Sequence, residues 1–396
     1  MTDSPSGVDR RAALQTLGVV GAGAIAASRG VSPAVAQAGW SPESHPMAEK
    51  TFVIDGVAHC YNHAPYNRRI KRASVNSINT TYRYHEACTP EAYRLTYAQW
   101  ARDWQPDEVM DLMFLESHTD MMIMHSVPMY DLHYDGLVSN EKGAYLKGNF
   151  PDRVLWYGAL DLFDPYDSVL AKADQLIDQG ADGIKFYPTR INFETRAPES
   201  WLMDDEKLAF PVFDRLQSKG VKHLAVHKLV GHVGPATAAL GVDDLYKAAE
   251  AFPDLTFHLV HAGWQNFEET AALMKARENV TAVMEGPMLF PLFDRSTFIK
   301  MMNVFMTQVD LDRLIYASTA ANQHPYWILN AFFDFQPPEG APYLLTDETK
   351  AKILGANLAR YHGIDIPAQR QKIASDTWSQ YKRRNGLREP YIMQRS

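Results

Sequence analysis

Histidines at the ends of predicted strands are the residues of this 396-residue chain whose type and spacing best fit catalysis. The segment FPDLTFHLVHAGW (252–264) is an apolar run that stops at His261 and continues into a glycine turn. The segment KHLAVHK (222–228) ends in the same way on His227. Imidazole exchanges protons near neutral pH and is the commonest metal ligand in proteins. Because parallel barrel strands end together at one rim, we expect these rings to meet at a single mouth.

Other strand ends carry polar side chains that would face the same mouth. Lys185 follows the fourth predicted strand, and three roles suit a lysine there: a carboxylated metal bridge, a Schiff-base nucleophile or an ion-pair partner for a substrate carboxylate. The remaining candidates at the strand ends or just beyond them are His59, His125, Asp161, Tyr187, Glu285, Ser318, Thr319, Asn322 and His324.

Eight short apolar runs, each bounded by polar residues, glycine or proline, predict the strands that position these side chains. Helical patterns follow most of them, and such alternation is typical of parallel strands joined by right-handed crossovers. The runs cover residues 52–55, 121–126, 154–160, 183–187, 221–227, 255–261, 280–285 and 314–318.

The number of these units predicts an α/β fold of the (β/α)8 TIM-barrel class. A doubly wound sheet is disfavoured, because the chain has no GxGxxG or GxxxxGK[ST] phosphate loop. Residues 39–396 are expected to form a single barrel domain, with a closing helix and tail over 346–396. The helices are predicted at 167–179, 204–218, 242–251, 267–276 and 295–306.

A long insertion, residues 60–118, separates the first predicted strand from the second. It reads as a polar, aromatic-rich loop followed by a helix over 97–115. Long loops inside compact domains are usually functional or mobile. We therefore predict a lid or an oligomer contact over the barrel mouth, with a surface insertion as the plainer alternative.

Residues 1–38 have the order of an export signal. Arg10 and Arg11 precede an uncharged run over 14–28, and small residues end at Ala38. The apolar run is shorter than the roughly 20 residues that a membrane-spanning helix needs. The arginine pair resembles a twin-arginine signal, and a chance pair in an ordinary secretory signal is the alternative. Cleavage after Ala38 predicts a periplasmic or secreted protein with no membrane span.

The composition is that of an ordinary globular protein with an acidic surface. The 39 basic and 47 acidic side chains give a net charge of −8, and removing the three arginines and two aspartates of residues 1–38 makes it −9. An acidic surface argues against nucleic acid as a partner. The two cysteines, Cys60 and Cys88, are compatible with one disulfide or with two free thiols.

Several segments of the chain resemble the amidohydrolase superfamily, specifically its amidohydrolase-related branch of metal-dependent hydrolases and non-oxidative decarboxylases. The matching pieces are VIDGVAH, GADGIKFYP, KHLAVHK, FPDLTFHLVHAGW, ENVTAVMEG and KAKILGANLARYHGI, which occur in the right order between residues 52 and 363. The resemblance implies the barrel fold and one divalent metal, zinc or manganese. It assigns His59 and His227 as metal ligands and His261 as the proton-transferring residue, and it favours an electrostatic role for Lys185. A homo-oligomer such as a dimer is a further implication.

The chain departs from the family pattern at two ligand positions. Val57 stands where the first ligand of the first strand is expected, and Thr319 stands where the eighth strand should carry an aspartate. Neither side chain replaces a carboxylate or imidazole ligand well. The residues that would supply a missing ligand are Glu285, Cys60, Asn322 and His324.

The leading hypothesis is an exported enzyme that hydrolyses a small substrate, carboxylated or aromatic. It assigns catalysis to His261 and Lys185. One alternative is a decarboxylase of the same branch, in which Lys185 and Arg190 hold the substrate carboxylate. Another is a metal-free barrel that acts as a binding or partner subunit. The predicted substrate-binding residues are His125, Tyr187, Glu285, Asn322 and His324.

Overall fold

The computed structural model describes residues 39–229, 238–264 and 266–396, and the predicted export signal lies outside them. Eight parallel strands form one sheet, in which barrel strands that follow one another along the chain are paired. The (β/α)8 barrel prediction is therefore confirmed, and each predicted strand overlaps an observed one. The barrel strands are β1 (Ile54–Ala58), β2 (Met121–His125), β3 (Val154–Ala159), β4 (Gly183–Phe186), β7 (His223–His227), β8 (Thr256–Val260), β9 (Val280–Val283) and β10 (Leu314–Ile315).

Backbone hydrogen bonds between β1 and the segment that continues β10 close the barrel. The Gly56 amide donates to the Tyr316 carbonyl at 2.9 Å, and the Thr319 amide donates to the Val57 carbonyl at 3.1 Å. A Cβ atom on Gly56 would lie 2.9 Å from the Tyr316 carbonyl oxygen. Glycine is required there because the two backbones approach closely.

Alternation of side chains along the strands separates the barrel interior from the helix-facing layer. Val57, Ala225 and Val283 belong to one buried apolar cluster inside the barrel. Two residues further along their strands, the same alternation turns His59, His227 and Glu285 inward at the carboxyl end. The layer below the mouth is thus apolar, and the mouth itself is polar.

Helices cover the outside of the barrel where amphipathic patterns predict them. The helix Arg295–Gln308, for example, begins at Asp294, whose side chain accepts a hydrogen bond from the Thr297 amide at 3.1 Å. The other helices that follow barrel strands are Asn140–Asn149, Tyr166–Asp178, Ala209–Ser218, Asp244–Ala251, Phe267–Ala276 and Pro325–Phe333.

The insertion differs from its prediction, because helix Lys71–Cys88 lies where a loop was expected. Ser74, Ile78, His85 and Cys88 are its buried residues, spaced three, four or seven apart. This is a helical stripe, but small and polar side chains make up most of it, so it does not read as an apolar pattern.

The single helix predicted over 97–115 is also divided in the structure. It forms two helices, Tyr97–Trp100 and Pro106–Phe114, and the break falls just before Pro106. Proline is favoured at the first position of a helix and disfavoured inside one, which explains the division.

The chain after β10 ends in a helical tail that packs back on the insertion. Glu116, which is fully buried, accepts hydrogen bonds from His324 at 3.0 Å and from Arg388 at 2.8 Å. No helix in the described ranges is long and apolar enough to span a membrane. The tail helices are Asp347–Ala351, Lys352–Ala356 (a π-helix), Asn357–Tyr361, Ile366–Ile373, Thr377–Asn385 and Ile392–Arg395.

A two-stranded hairpin, β5 (Thr189–Ile191) and β6 (Pro198–Ser200), follows β4 at the mouth. The Ile191 amide donates to the Asp131 carboxylate at 2.8 Å, which fixes the hairpin against the loop after β2. Cys60 and Cys88 are both free and buried, so the structure contains two thiols rather than the disulfide.

Candidate active site at the barrel mouth

Four side chains form a continuous polar chain across the carboxyl end of the barrel, and we call it the mouth tetrad: His59, Glu285, His261 and His227. His59 Nε2 lies 3.3 Å from Glu285 Oε1, and His261 Nε2 lies 3.7 Å from Glu285 Oε2. His261 Nε2 also lies 3.0 Å from His227 Nδ1. The structure brings the three imidazoles together at one mouth, as the sequence predicts.

His59 contacts acceptors through both of its ring nitrogens. Its Nδ1 lies 2.9 Å from the His125 carbonyl oxygen, while its Nε2 faces the Glu285 carboxylate. A carbonyl and a carboxylate only accept hydrogen bonds, so both contacts are satisfied when His59 is an imidazolium and donates twice. In that state His59 and Glu285 form a buried ion pair.

Glu285 is the carboxylate of the mouth tetrad and is 4% exposed. Burial alone raises its pKa, but the His261, His59 and Lys185 side chains outweigh burial and bring the pKa well below its usual range. Glu285 therefore stays ionised at neutral pH. It gives the mouth a negative charge that Thr319 does not provide.

His261 sits on an abrupt turn at the end of β8. His261, Ala262 and Gly263 have φ values of 70°, 52° and 64°, so three consecutive residues are in the left-handed region. This conformation is uncommon for residues other than glycine and clusters at functional sites. It swings the imidazole from the strand direction into the mouth.

The hydrogen bonds of His261 define its proton-accepting nitrogen. Its Nδ1 lies 3.2 Å from the Glu285 carbonyl oxygen and therefore donates, which leaves Nε2 as the acceptor in the neutral ring. The side chain is 11% exposed, against 3% for His59. His261 is thus the better placed of the two to meet a substrate.

A pocket adjoins the tetrad on the side of His227. The ring of Tyr187 stacks on His227 at a centroid distance of 4.3 Å and an interplanar angle of 21°. Apolar side chains dominate the rest of the wall, with one carboxylate. The lining residues are Met129, Asp131, Tyr187, Thr189, His227, Leu229 and Leu240.

Lys185 and His125 lie inside the barrel next to the tetrad, each 1% exposed. Burial lowers the pKa of Lys185 to about 8, although Glu285 opposes the shift. Burial also lowers the pKa of His125 well below its usual range, and the charge of Lys185 adds to the effect. His125 is therefore a neutral ring close to a buried ammonium group.

The residues predicted after the eighth strand are oriented toward the insertion. Asn322 Oδ1 accepts from His63 Nε2 at 3.0 Å, and His324 bonds to Glu116. The Thr319 hydroxyl lies 3.4 Å from the Tyr61 hydroxyl. The structure thus joins His59, His227, His261 and Glu285, whereas it directs Asn322 and His324 to contacts outside the tetrad.

One pocket residue, Asp131, and one buried histidine of the insertion, His63, were missed in the sequence. Asp131 lines the pocket, and its carboxylate holds the hairpin. His63 is buried and stacks on Tyr61 and on Trp100, with centroid distances of 5.0 and 4.7 Å. Position shortly after a barrel strand was the only signal for either residue, and it does not distinguish them from their loop neighbours.

The residues at the mouth do not fit the family's metal-ligand set. Val57 packs in the apolar cluster inside the barrel, and Thr319 offers a hydroxyl where a carboxylate is expected. Among the described residues, no group of three or more His, Cys, Asp or Glu side chains is arranged to hold a metal ion. Zinc or manganese binding stays a prediction from resemblance.

Comparisons with known proteins agree with this architecture. A sequence model described as "Amidohydrolase" matches residues 139–363, and no curated protein matches the chain. An uncharacterised TIM-barrel protein from Bordetella bronchiseptica is similar, with 17% identity, a TM-score of 0.56, and coverage of 80% of this chain and 98% of that one.

Two decarboxylases of known structure are similar as well. A 2,6-dihydroxybenzoate decarboxylase with bound 2,6-dihydroxybenzoate has 14% identity and a TM-score of 0.51, with 80% of this chain and 99% of the other covered. A 5-carboxyvanillate decarboxylase from Novosphingobium aromaticivorans, solved with manganese, has 15% identity and a TM-score of 0.51, with 82% and 100% covered. At these identities the likeness concerns the fold.

Proposed function

This chain belongs to the amidohydrolase family, and from that premise we propose that it is an enzyme that hydrolyses a small molecule at the barrel mouth. The observation that carries the proposal is the mouth tetrad, in which a partly exposed imidazole lies beside a buried carboxylate. A base of this kind, oriented by a carbonyl and stabilised by a carboxylate, is suited to general acid–base catalysis.

In the proposed reaction, a water molecule replaces the His227 Nδ1–H as the partner of His261 Nε2. His261 Nε2 then takes a proton from this water as the water oxygen forms a bond to the substrate carbonyl carbon. The bond from that carbon to its leaving nitrogen or oxygen then breaks, and His261 returns the proton to the leaving group. Glu285 stabilises the intermediate imidazolium, as a carboxylate does in other His-dependent hydrolases. His59 holds Glu285 in place and does not transfer protons itself.

A decarboxylase is the second candidate, favoured by the buried ammonium group of Lys185. In this reaction the bond between the carboxylate carbon and its neighbouring carbon breaks and releases CO2. Protonated His261 delivers its Nε2 proton to the carbon left behind and regains a proton from water. Arg190, predicted to assist Lys185, instead pairs with Glu199 at 2.6 Å on the hairpin. Product analysis separates the candidates, since hydrolysis yields an acid with an amine or alcohol, whereas decarboxylation yields CO2 or bicarbonate.

The test is a screen of purified residues 39–396 against small esters, amides, lactones and aromatic acids, with His261→Gln as the inactive control. Turnover that His261→Gln abolishes supports the proposal. Turnover unaffected by that change would overturn the role of His261. Binding without any turnover would favour the third candidate, a barrel that serves as a binding or partner subunit.

We also propose that the mature protein is exported and forms a homo-oligomer such as a dimer. The support for export is the charged, apolar and small-residue order of residues 1–38. Cell fractionation tests it, with Arg10 and Arg11 both replaced by lysine to block a twin-arginine signal. Size-exclusion chromatography with light scattering of residues 39–396 tests the oligomeric state.

A further inference from the structure

The pocket beside His227 has one acidic side chain in its wall, that of Asp131. Asp131 is 8% exposed, so its carboxylate is largely removed from water. Three other lining side chains, those of Met129, Leu229 and Leu240, are apolar and cannot solvate a charge. A buried carboxylate is costly unless a cation accompanies it.

Backbone amides satisfy only part of the demand of this carboxylate. The Ile191 amide donates to Asp131 Oδ2 at 2.8 Å, and the Leu132 amide also stabilises the charge. Burial nevertheless raises the pKa of Asp131, although these amides and the charge of Arg190 oppose the shift. The empty pocket therefore stabilises the ionised carboxylate less well than water does.

Arg190 acts on Asp131 only at longer range, because other side chains engage its guanidinium group. Its Nε lies 2.6 Å from Glu199 Oε2, and its Nη1 lies 4.0 Å from Asp161 Oδ2. Among the described residues, neither Arg190 nor any other cation forms an ion pair with Asp131. One guanidinium group thus serves three carboxylates on this side of the mouth, which leaves a local excess of negative charge.

We infer that the pocket is a subsite for a primary ammonium group, with Asp131 as its counter-ion. An ammonium group carries one positive charge and three N–H donors on a compact centre, and a charge-assisted hydrogen bond to a carboxylate is among the stronger ones. The enclosed part of the pocket has room for about one water molecule, so a group of this size fits. A carboxylate in the same place would be repelled by Asp131.

The subsite lies next to the proposed general base. His227 is part of the pocket wall, and its Nδ1 lies 3.0 Å from His261 Nε2. One imidazole ring therefore separates the ammonium group from the nitrogen that activates water. A substrate that reaches both carries its ammonium group close to the carbonyl carbon, as in an amide or ester of an amino acid. This substrate class rests on the proposed function, whereas ammonium binding does not require turnover.

Benzylammonium and its neutral counterpart benzyl alcohol are the probes, since neither contains a bond that the proposed reaction breaks. Isothermal titration calorimetry at pH 7 is the measurement, with enough salt to screen the acidic surface. The wild-type protein should bind benzylammonium at least about tenfold more tightly than benzyl alcohol, as expected for hydrogen bonds to a charged group. Asp131→Asn keeps an oxygen that can accept from the Ile191 amide but loses the charge, so it should remove this preference. The matched control Asp178→Asn, at an exposed position, should retain it.

Equal binding of the two probes by the wild type would overturn the inference, as would a preference that survives in Asp131→Asn. If Asp131→Asn does not fold, the methyl resonance of Met129 in the wild type replaces it, labelled with carbon-13 and assigned with Met129→Leu. Benzylammonium should shift this resonance more than benzyl alcohol does at the same concentration, and the absence of any shift would contradict the inference.

A last comparison separates this inference from the proposed function. His261→Gln should retain the preference for benzylammonium, because Asp131 and the pocket wall are unchanged. An ammonium preference in a protein that turns over no substrate would overturn the proposed function and support the inference. Turnover by a protein without an ammonium preference would do the reverse.

Discussion

Histidines gather at both ends of the barrel, and the strands β7 and β8 contribute to both groups. At the amino end, His223 Nδ1 lies 3.1 Å from His258 Nε2, and His258 Nδ1 lies 2.8 Å from the Thr281 hydroxyl. His362, from the closing helix, lies 3.0 Å from the Tyr157 hydroxyl. We call His223, His258 and His362 the amino-end cluster.

The two ends differ in the charge that surrounds their imidazoles. The mouth tetrad contains Glu285, whereas among the described residues no carboxylate bonds to the amino-end cluster, whose partners are hydroxyl groups, its own members and the Tyr361 backbone. Burial lowers the pKa of His223 to about 4 and that of His258 further. One carboxylate therefore separates a site that can stabilise an imidazolium from a cluster that must stay neutral.

This difference teaches that residue type and burial do not identify a catalytic histidine. His258 and His261 lie three residues apart, and both are buried. Only His261 has a left-handed backbone, a partly exposed ring and a carboxylate nearby. Those three features can be tested separately.

The largest expected effect is a contrast between the two ends of β8. His261→Gln, which removes the proton-accepting nitrogen, should reduce kcat/KM by about 10²–10⁴-fold, the range for loss of a general acid–base group. His258→Gln should change kcat/KM by less than the variation between preparations, once folding is verified by circular dichroism. Similar losses in both variants would show that the amino end also contributes to turnover.

Replacing Glu285 with glutamine should remove the negative charge that distinguishes the mouth tetrad from the amino-end cluster. We expect kcat to fall by about 10²-fold with a much smaller change in KM, because the amide no longer stabilises the imidazolium formed during the reaction. Steady-state kinetics measures both. A change confined to KM would mean that Glu285 contacts the substrate instead of supporting His261.

Installing the two absent ligands should make the mouth a metal site. Val57→His combined with Thr319→Asp should raise the affinity for zinc or manganese by more than about 10-fold, since loss of even the outer-shell partner of a ligand typically costs 10–100-fold. Plasma mass spectrometry of dialysed protein measures the metal content. His227→Ala added to the double variant is the matched control and should lower the metal content again. A double variant with the same metal content as the wild type would show that Val57 and Thr319 do not occupy ligand positions.

The smallest effect concerns acid stability at the amino end. The pKa of His223 is about 4 in the folded protein against 6.5 ordinarily, so the unfolded state binds more protons between these values. Stability is then fully present above pH 6.5 and falls as the pH drops toward 4. His223→Gln should reduce that slope by at most about 1.4 kcal/mol per pH unit, measured by urea unfolding at several pH values.

A matched change at the mouth sharpens this last test. The folded-state pKa of Glu285 is depressed, so its contribution is present above its ordinary value of 4.5 and is lost only at lower pH. Glu285→Gln should therefore not reduce the slope between pH 6.5 and 5. A reduced slope there would mean that the mouth tetrad, rather than the amino-end cluster, sets acid stability.

The barrel could be predicted from the sequence because buried parallel strands read as short apolar runs separated by helical patterns. The helix Lys71–Cys88 could not, since its buried stripe consists mainly of Ser74, His85 and Cys88. A pattern of apolar residues does not reveal a stripe that is buried through hydrogen bonds and small side chains.

The residues of the site could be predicted from the sequence, but their hydrogen-bond partners could not. Strand ends identified His59, His227, His261 and Glu285, because topology alone brings them together. The partners of each nitrogen depend on backbone turns such as the left-handed His261. For the same reason, sequence position alone predicted His324 at the site. In the structure, His324 instead forms a hydrogen bond with Glu116.

The buried Glu116 carboxylate has a consequence for the order of assembly during synthesis. Its partners His324, Arg388 and the Tyr391 amide, which donates at 2.8 Å, follow Glu116 in the sequence by 208, 272 and 275 residues. The insertion cannot acquire its final contacts until the ribosome has released these residues. A polypeptide that stops just before Arg388 would leave the Glu116 carboxylate without its guanidinium partner, and cellular proteases should recognise this product as unfinished.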